Sequence, residues 1–365
     1  MAASQKPKCL IAAGGTAGHV LPAIAVAEAL AARGADVSFA GTPNHIEARL
    51  VPAAGFELDT FKVEGFPRRP GPALARALAR AAVAPPACVR ILRRRKPDVV
   101  LGGGGYVAGP MVLAAGLLRI PAALMEADAH LGLANRLARP LAKRVFLSFP
   151  IEGLEGEKYR VVGRPIPSRS RADEQDAARR RFELPDDGPC VLIFGGSQGA
   201  RRLNEAAVAA FGDSGPIVLH LSGERDYAGL ASRVTRPDYR LLPFTDDFGA
   251  ALAAADLVVA RAGGSVWEVA AAGKPALLVP YPHATADHQT KNARFFEQAG
   301  AAVVVPEEEL DLRRQVDELL IDGARLERMR RSMRAVARPD AAAVIANELI
   351  ELVSVSRDAA GKGAK

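Results

Sequence analysis

The 365-residue chain is short of several features that would fix a class at once. It has three cysteines, Cys9, Cys88 and Cys190, an odd number without metal-ligand spacing. Two of them sit in apolar runs expected to be strands, so they read as small buried hydrophobes of a reducing cytoplasm. No apolar run reaches the roughly eighteen residues of a membrane span. The start, Met1 to Lys8, passes directly into a strand without a signal-peptide core. Residues 65–97 contain nine basic residues and no acidic one. There is no short-period repeat, which sets solenoids aside.

What is present describes an ordinary soluble globular protein. Apolar residues make up 49% and charged residues 24%, and the length suggests two domains. The formal charge of +7 is uneven: residues 1–163 hold 21 Lys/Arg against 12 Asp/Glu, and the remainder 27 against 29. The basic excess therefore lies in the first half, chiefly in residues 66–96. Such a patch seeks an anionic partner: phospholipid, nucleic acid or polyphosphate. Arginines interleaved with Leu74, Leu78, Ile91 and Leu92 suit an interfacial helix on an anionic bilayer. Stacking aromatics are scarce there, which disfavours nucleic acid. A merely solvated arginine-rich surface is the plain alternative.

One local design occurs twice. Cys9-Leu10-Ile11-Ala12-Ala13 leads into Gly14-Gly15-Thr16-Ala17-Gly18-His19, and Cys190-Val191-Leu192-Ile193-Phe194 leads into Gly195-Gly196-Ser197-Gln198-Gly199-Ala200-Arg201. A strand, a glycine turn and a helix leave bare N–H groups where an anion sits. Neither turn is a GxGxxG fingerprint or a P-loop, so nicotinamide binding and ATP hydrolysis lose ground. Around the turns, strands and helices alternate. Strands are expected near 8–13, 36–40, 57–63, 99–101, 122–125, 144–147 and 160–162. They resume near 190–194, 217–221, 239–243, 257–260, 276–279 and 302–305. This alternation is the pattern of parallel α/β sheets. Separate helices are expected over 73–82 and 89–96. Gly163-Arg164-Pro165-Ile166-Pro167 reads as a stiff linker between domains 1–163 and 164–339. A final helix follows over 340–353, and the Gly/Ala/Lys-rich stretch 354–365 reads as a disordered tail.

Four further features carry chemistry. His19 opens the first helix, where the dipole disfavours its protonated form; it is a candidate general base, or simply a cap. Gly102-Gly103-Gly104-Gly105-Tyr106 should meet the first glycine turn at the carboxyl edge of one sheet, a double rim fit for a pyrophosphate. In Arg261-Ala262-Gly263-Gly264-Ser265-Val266-Trp267-Glu268, the glycines offer donors and Glu268 is placed to accept from vicinal sugar hydroxyls. The run from Tyr281 to Asn292 is rich in groups that pair with sugar hydroxyls. His283 and His288 do not share a helix face, so a metal is disfavoured.

Taken together, five ordered stretches make the chain resemble one bacterial family over nearly its whole length. The stretches are Gly14-Gly15-Thr16-Ala17-Gly18-His19-Val20-Leu21-Pro22, Gly104-Gly105-Tyr106-Val107-Ala108-Gly109-Pro110, Gly195-Gly196-Ser197-Gln198-Gly199-Ala200-Arg201, residues 261–268 and residues 288–292. The family is that of the peptidoglycan glycosyltransferases that add N-acetylglucosamine to undecaprenyl-pyrophosphoryl-N-acetylmuramyl-pentapeptide, the last cytoplasmic step of the precursor's synthesis. The resemblance implies a GT-B fold: two Rossmann-like parallel-sheet domains facing across a cleft. The first would face acceptor and membrane, the second would hold UDP-N-acetylglucosamine, and the final helix would pack back on the first. It implies no cofactor and no nucleotide-bound metal, and a peripheral position at the cytoplasmic membrane face.

The resemblance also assigns residues. Gly15, Thr16 and Ala17 would lie near the transferred sugar and the diphosphate, with Gly104, Gly105 and Tyr106 on the same rim. Ser197, with Gln198, would contact the nucleotide phosphates, and Thr245 would occupy the position whose backbone reads uracil. Gly263, Gly264, Ser265 and Glu268 would hold the nucleotide, with Glu268 on the ribose. Gln289 and Asn292 would select the sugar hydroxyls. His19 would orient or deprotonate the acceptor hydroxyl. Asp128 stands where the family commonly has asparagine, and Arg164 stands in a linker whose arginine usually comes later. A UDP-sugar epimerase, a glycolipid glucosyltransferase and a non-catalytic UDP-sugar sensor remain as alternatives.

Overall fold

The computed structural model describes the backbone of residues 6–64, 72–167, 174–196 and 200–363, and the side chains of these except 72–83 and 359–363. The chain divides into two compact units: unit 1 comprises Met1–Pro167 and Pro339–Lys365, and unit 2 comprises Ser168–Arg338.

Unit 1 is built on strands β1 (Lys8–Ala12), β2 (Asp36–Gly41), β3 (Glu57–Thr60), β4 (Val99–Gly102), β5 (Ala122–Glu126), β6 (Arg144–Leu147) and β7 (Tyr159–Val161). They pair in the order β3-β2-β1-β4-β5-β6-β7, all parallel. Ile11 of β1 lies between Phe39 of β2 and Leu101 of β4. Its helices are α1 (Ala17–Ala31), α2 (Glu47–Ala53), α3 (Pro72–Arg95), α4 (Ala108–Leu117) and α5 (Leu133–Ala138). Side chains of β1 alternate between two cores. Leu10 and Ala12 join Cys88, Ile91 and Leu92 of α3 and Met111 and Val112 of α4. Cys9 and Ile11 join Val20, Ile24 and Leu30 of α1 together with Ile345, Leu349 and Val353. Burial on both faces explains the unbroken apolar run of this strand.

Unit 2 repeats the plan with β8 (Cys190–Phe194), β9 (Ile217–Leu221), β10 (Tyr239–Leu242), β11 (Leu257–Ala260), β12 (Ala276–Leu278) and β13 (Ala302–Val304). Their order is β10-β9-β8-β11-β12-β13, again parallel. Helices α6 (Gln175–Arg181), α7 (Arg201–Phe211), α8 (Glu224–Ala231), α9 (Phe248–Ala254), α10 (Val266–Ala271), α11 (His288–Gln298), α12 (Leu312–Ile321) and α13 (Gly323–Val336) complete it. Helix α14 (Ala341–Gly363) then returns to unit 1. Each sheet reverses its strand order once, between β1 and β4 and between β8 and β11, and ligands bind beside such a switch point.

Three local expectations are corrected. The two helices expected over 73–82 and 89–96 are one helix, α3, running through Pro85 and Pro86. Prolines remove two intrahelical donors, but Ala84, Cys88, Ile91 and Leu92 fall on one face and are buried in the core, so packing overrides the local break. Residues 354–363 are not a disordered tail: α14 continues to Gly363, fastened by Arg357, whose Nη2 lies 2.9 Å from Asp98 Oδ2. The stretch 164–167 belongs with unit 1, because the Arg164 guanidinium donates to the Gly18 and Ala127 carbonyls.

Candidate active site

In unit 1 the first glycine turn and the loop after β4 meet at the switch point. Thr16 is the extended N-cap of α1, and its carbonyl accepts from the His19 and Val20 amides. Its hydroxyl pairs with His19 Nδ1 at 3.1 Å. The imidazole lies against the backbone after β4. A Cβ on Gly104 would come within 2.6 Å of His19 Cδ2, and one on Gly105 would strike the Gly14 carbonyl oxygen. Both glycines also have positive φ, 104° and 72°, which disfavours any side chain. The run of glycines thus lets two loops touch backbone to backbone and seats the histidine between them.

Burial pushes the His19 imidazole below its ordinary value. The nearby Arg164 charge acts in the same direction, while Asp128 and Glu47 act against it. Arg164 is itself buried on the Gly18 carbonyl, so it reaches the back of the first turn. Asp128 follows β5 in a loop gathered by the buried Glu126. Glu126 accepts from the Ala127 and Gly132 amides at 3.0 and 2.9 Å and from Asn135 Nδ2 at 2.9 Å. Burial raises the Glu126 carboxyl, and the Gly132 and Asn135 donors oppose that rise.

One expectation for this turn is not met. The Gly15 amide is not a bare donor: it bonds Glu47 Oε2 at 3.0 Å, across from α2. The first turn of α1 has no side-chain cap bond at its N-cap. Nothing in the local sequence around Gly15 signals this partner.

In unit 2 the site groups gather at the ends of β8, β11 and β12. Ser197 and Gln198 lie outside the described residues. Just before them, a Cβ on Gly195 would collide with Ala200, and Gly196 has φ 112°. The Thr245 loop is held beside the end of β8 by the edge contact of Phe194 and Phe248, 5.0 Å between ring centres. Thr245 Oγ1 accepts the Asp247 amide at 3.1 Å. After β11, Gly263, Gly264 and Ser265 form the turn into α10, and space opens beside Gly263. Glu268 sits in the first turn of that helix.

The turn is anchored from beneath. Asn292 of α11 is fully buried and donates to the Ala262 carbonyl at 3.1 Å. Gln289 Oε1 accepts the Tyr281 amide at 2.9 Å, which leaves its Nε2 as a donor for a hydroxyl. Arg261 bonds the Val279 and Pro280 carbonyls at 3.1 and 3.2 Å and pairs with the buried Glu307. Glu307 also receives Arg202 of α7 at 3.2 Å, tying the start of α7 and Arg261, just before the Gly263 turn, to one carboxylate. Glu307 is one of three consecutive glutamates, and nothing in its local sequence signals this role. Among the described residues, no group of three His, Cys, Asp or Glu side chains is arranged to hold a metal.

The glycosyltransferase family 28 N-terminal domain matches residues 9–147 and the family 28 C-terminal domain matches residues 190–345. A UDP-N-acetylglucosamine--N-acetylmuramyl-(pentapeptide) pyrophosphoryl-undecaprenol N-acetylglucosamine transferase of Halothermothrix orenii is 36% identical over 95% of this chain and 98% of its own. A protein of the same name from Acidithiobacillus ferrooxidans is 43% identical over 94% of this chain and 97% of its own. The crystal structure of MurG from Acinetobacter baumannii superposes with a TM-score of 0.76 at 31% identity, covering 95% of this chain and all 100% of that one. A UDP-N-acetylglucosamine 2-epimerase structure, at 16% identity and a TM-score of 0.66, shares the fold alone. The chain belongs to glycosyltransferase family 28 and, within it, to the N-acetylmuramyl-(pentapeptide) pyrophosphoryl-undecaprenol N-acetylglucosamine transferases.

Proposed function

We propose that the chain transfers N-acetylglucosamine from UDP-N-acetylglucosamine to the C4 hydroxyl of undecaprenyl-pyrophosphoryl-N-acetylmuramyl-pentapeptide, with inversion. The observation that carries the reading is the full-length identity to relatives that bear this transferase name. The site supports it. His19 Nδ1 is engaged by Thr16, and burial favours the neutral ring, so Nε2 is the nitrogen available to an acceptor hydroxyl. The acceptor oxygen forms a bond to the anomeric carbon and its proton passes to His19. The bond from that carbon to the phosphate oxygen breaks, and UDP leaves with the electron pair. Unit 2 binds the donor. Gly263 and Gly264 offer amides, Glu268 accepts from the ribose hydroxyls and Gln289 Nε2 donates to the sugar. Oriented donors stabilise the departing diphosphate. Asn292 and Arg261 hold these groups in place.

The same proposal sets the enzyme peripherally on the cytoplasmic face of the membrane. No described helix is long and apolar enough to cross one. Part of the expected basic surface is used internally: Arg94 and Arg95 pair with Asp59, and Arg95 also with Glu57. The arginines of residues 66–83 lie outside the described side chains. A second feature supports lipid contact instead. Leu113 and Leu117 of α4, Leu133 and Leu137 of α5, and Leu141 just beyond are all exposed, at helical four-residue spacings, with Leu117 67% and Leu137 68% accessible. Arg136 and Lys143 are exposed beside them. A leucine ridge with a cationic margin fits an anionic bilayer.

Purified protein incubated with labelled UDP-N-acetylglucosamine and a short-chain acceptor analogue should form the disaccharide product equally well with and without EDTA. Epimerised sugar without acceptor product, or abolition by EDTA, overturns the reading. Leu117→Asp combined with Leu137→Asp should reduce flotation with anionic vesicles by about 100-fold, since each buried leucine is worth roughly 1.5–3 kcal/mol. Unchanged flotation removes the leucine ridge from the membrane contact.

A further inference from the structure

Glu47 is fully buried at the start of α2, yet no cation pairs with it among the described residues. Its carboxylate is satisfied by three donors instead. The Gly15 amide bonds Oε2 at 3.0 Å, the Thr42 amide bonds Oε1 at 3.0 Å, and the Thr42 hydroxyl donates to the same Oε1. The slot it fills is cut by two glycines at the carboxyl ends of neighbouring strands. A Cβ on Gly14 would come within 2.8 Å of Glu47 Cδ, and a Cβ on Gly41 within 2.8 Å of Glu47 Cγ. Gly15, at φ 92°, turns its amide toward the carboxylate. The adjacent glycines at 14 and 15 are thus shaped around a buried carboxylate rather than around a bound anion.

Keeping an unpaired carboxylate out of water is unfavourable, and a neutral side chain would fill the same slot at lower free-energy cost. The charge has a use nearby. The turn it grips continues into the Thr16 cap that holds His19, and its field favours the protonated imidazole, together with Asp128 and against Arg164. Resting on the transferase reading above, we propose that Glu47 is a positioning residue for His19: it clamps the first glycine turn to the Thr42 loop, and its charge stabilises the imidazolium that forms when the acceptor proton is taken. The acceptor proton is taken by His19, and Glu47 takes no part in the transfer itself. A carboxylate supporting a histidine base is familiar where the two touch. Here the support acts through the turn and through space.

The test compares Glu47→Gln, which keeps the shape and removes the charge, with Glu47→Asp, which keeps the charge and shortens the clamp. Turnover at saturating donor and the titration of the His19 ring by NMR are read in both. Glu47→Gln should lower kcat about 10–100-fold, the scale of a misplaced catalytic group, with KM for UDP-N-acetylglucosamine unchanged because unit 2 binds the donor. The His19 titration and the acid limb of the kcat profile should both move to lower pH. Glu47→Asp should titrate like the wild type while still losing turnover. Wild-type kcat in Glu47→Gln, or a loss of kcat with an unmoved His19 titration, overturns the proposal. If Glu47→Gln does not fold, Glu47→Asp decides: wild-type turnover, or a displaced titration, refutes it. The titration needs no substrate. Failure of the wild-type protein to transfer sugar would therefore sink the transferase reading while leaving the titration to judge Glu47.

Discussion

The two sheet-end rims are built from the same glycine-turn design but are furnished oppositely. In unit 1 the loops are drawn inward by buried carboxylates: Glu47 takes amides from Gly15 and Thr42, and Glu126 takes amides from Ala127 and Gly132. In unit 2 the buried carboxylate Glu307 is matched by Arg261 and Arg202, and the amide side chain of Asn292 grips the Ala262 carbonyl from below. Anionic support beneath a loop favours a neighbouring group that becomes positive. Neutralised support beneath a loop leaves the turn amides free to meet negative charge. The difference teaches that a repeated local motif does not imply a repeated task, since the ligand preference is set by what lies one layer beneath the glycines.

The sharpest way to break this contrast is at the base. His19→Ala should lower kcat about 10²–10⁴-fold while UDP affinity stays near wild type, as steady-state kinetics and calorimetry would show. An equal loss of UDP affinity would place His19 on the donor side. Next in size, Glu268→Ala should weaken UDP binding about 10–100-fold, the worth of a charge-assisted hydrogen bond, with kcat at saturation little changed. Calorimetry with UDP reads this directly, and an unaltered affinity would remove Glu268 from the nucleotide.

The smallest effect concerns pH. His220 is fully buried on β9 between Tyr239 and Asn204, and burial lowers its value to about 3. Between pH 6.5 and that value the unfolded chain binds a proton that the folded chain does not. This contribution to the stability of unit 2 is therefore intact above pH 6.5 and is lost as pH falls. Thermal melts from pH 7 to pH 4.5 should decline more steeply in the wild type than in His220→Gln. Parallel slopes would show that His220 does not govern acid sensitivity.

Much of the fold was legible because parallel strands buried on both faces write themselves as short apolar runs. The strands starting at Cys190, Ile217 and Leu257 lie where those runs predict. The glycine turns, His19 and the turn before Glu268 were legible for a related reason: glycine and helix-start chemistry are local. What stayed hidden is not local. Glu47 reads as an ordinary acidic first-turn residue of a helix, and it becomes a clamp only because β2 returns beside β1. Arg164 reads as part of a linker, and becomes part of the first rim only through the Gly18 carbonyl. The leucines of α4 and α5 lie exposed because of how the helices are turned, which no local pattern signals. Pro85 and Pro86 signal a break that the neighbouring core contacts override.

The return of α14 to unit 1 also bears on how the protein is made. Ile345, Ala346, Leu349 and Val353 complete a face of the first sheet whose strands were synthesised long before. Unit 2 is thus an insertion within unit 1. On the ribosome it can close its own core while the nascent unit 1 still exposes an apolar sheet face, leaving that face open to aggregation until the last helix emerges.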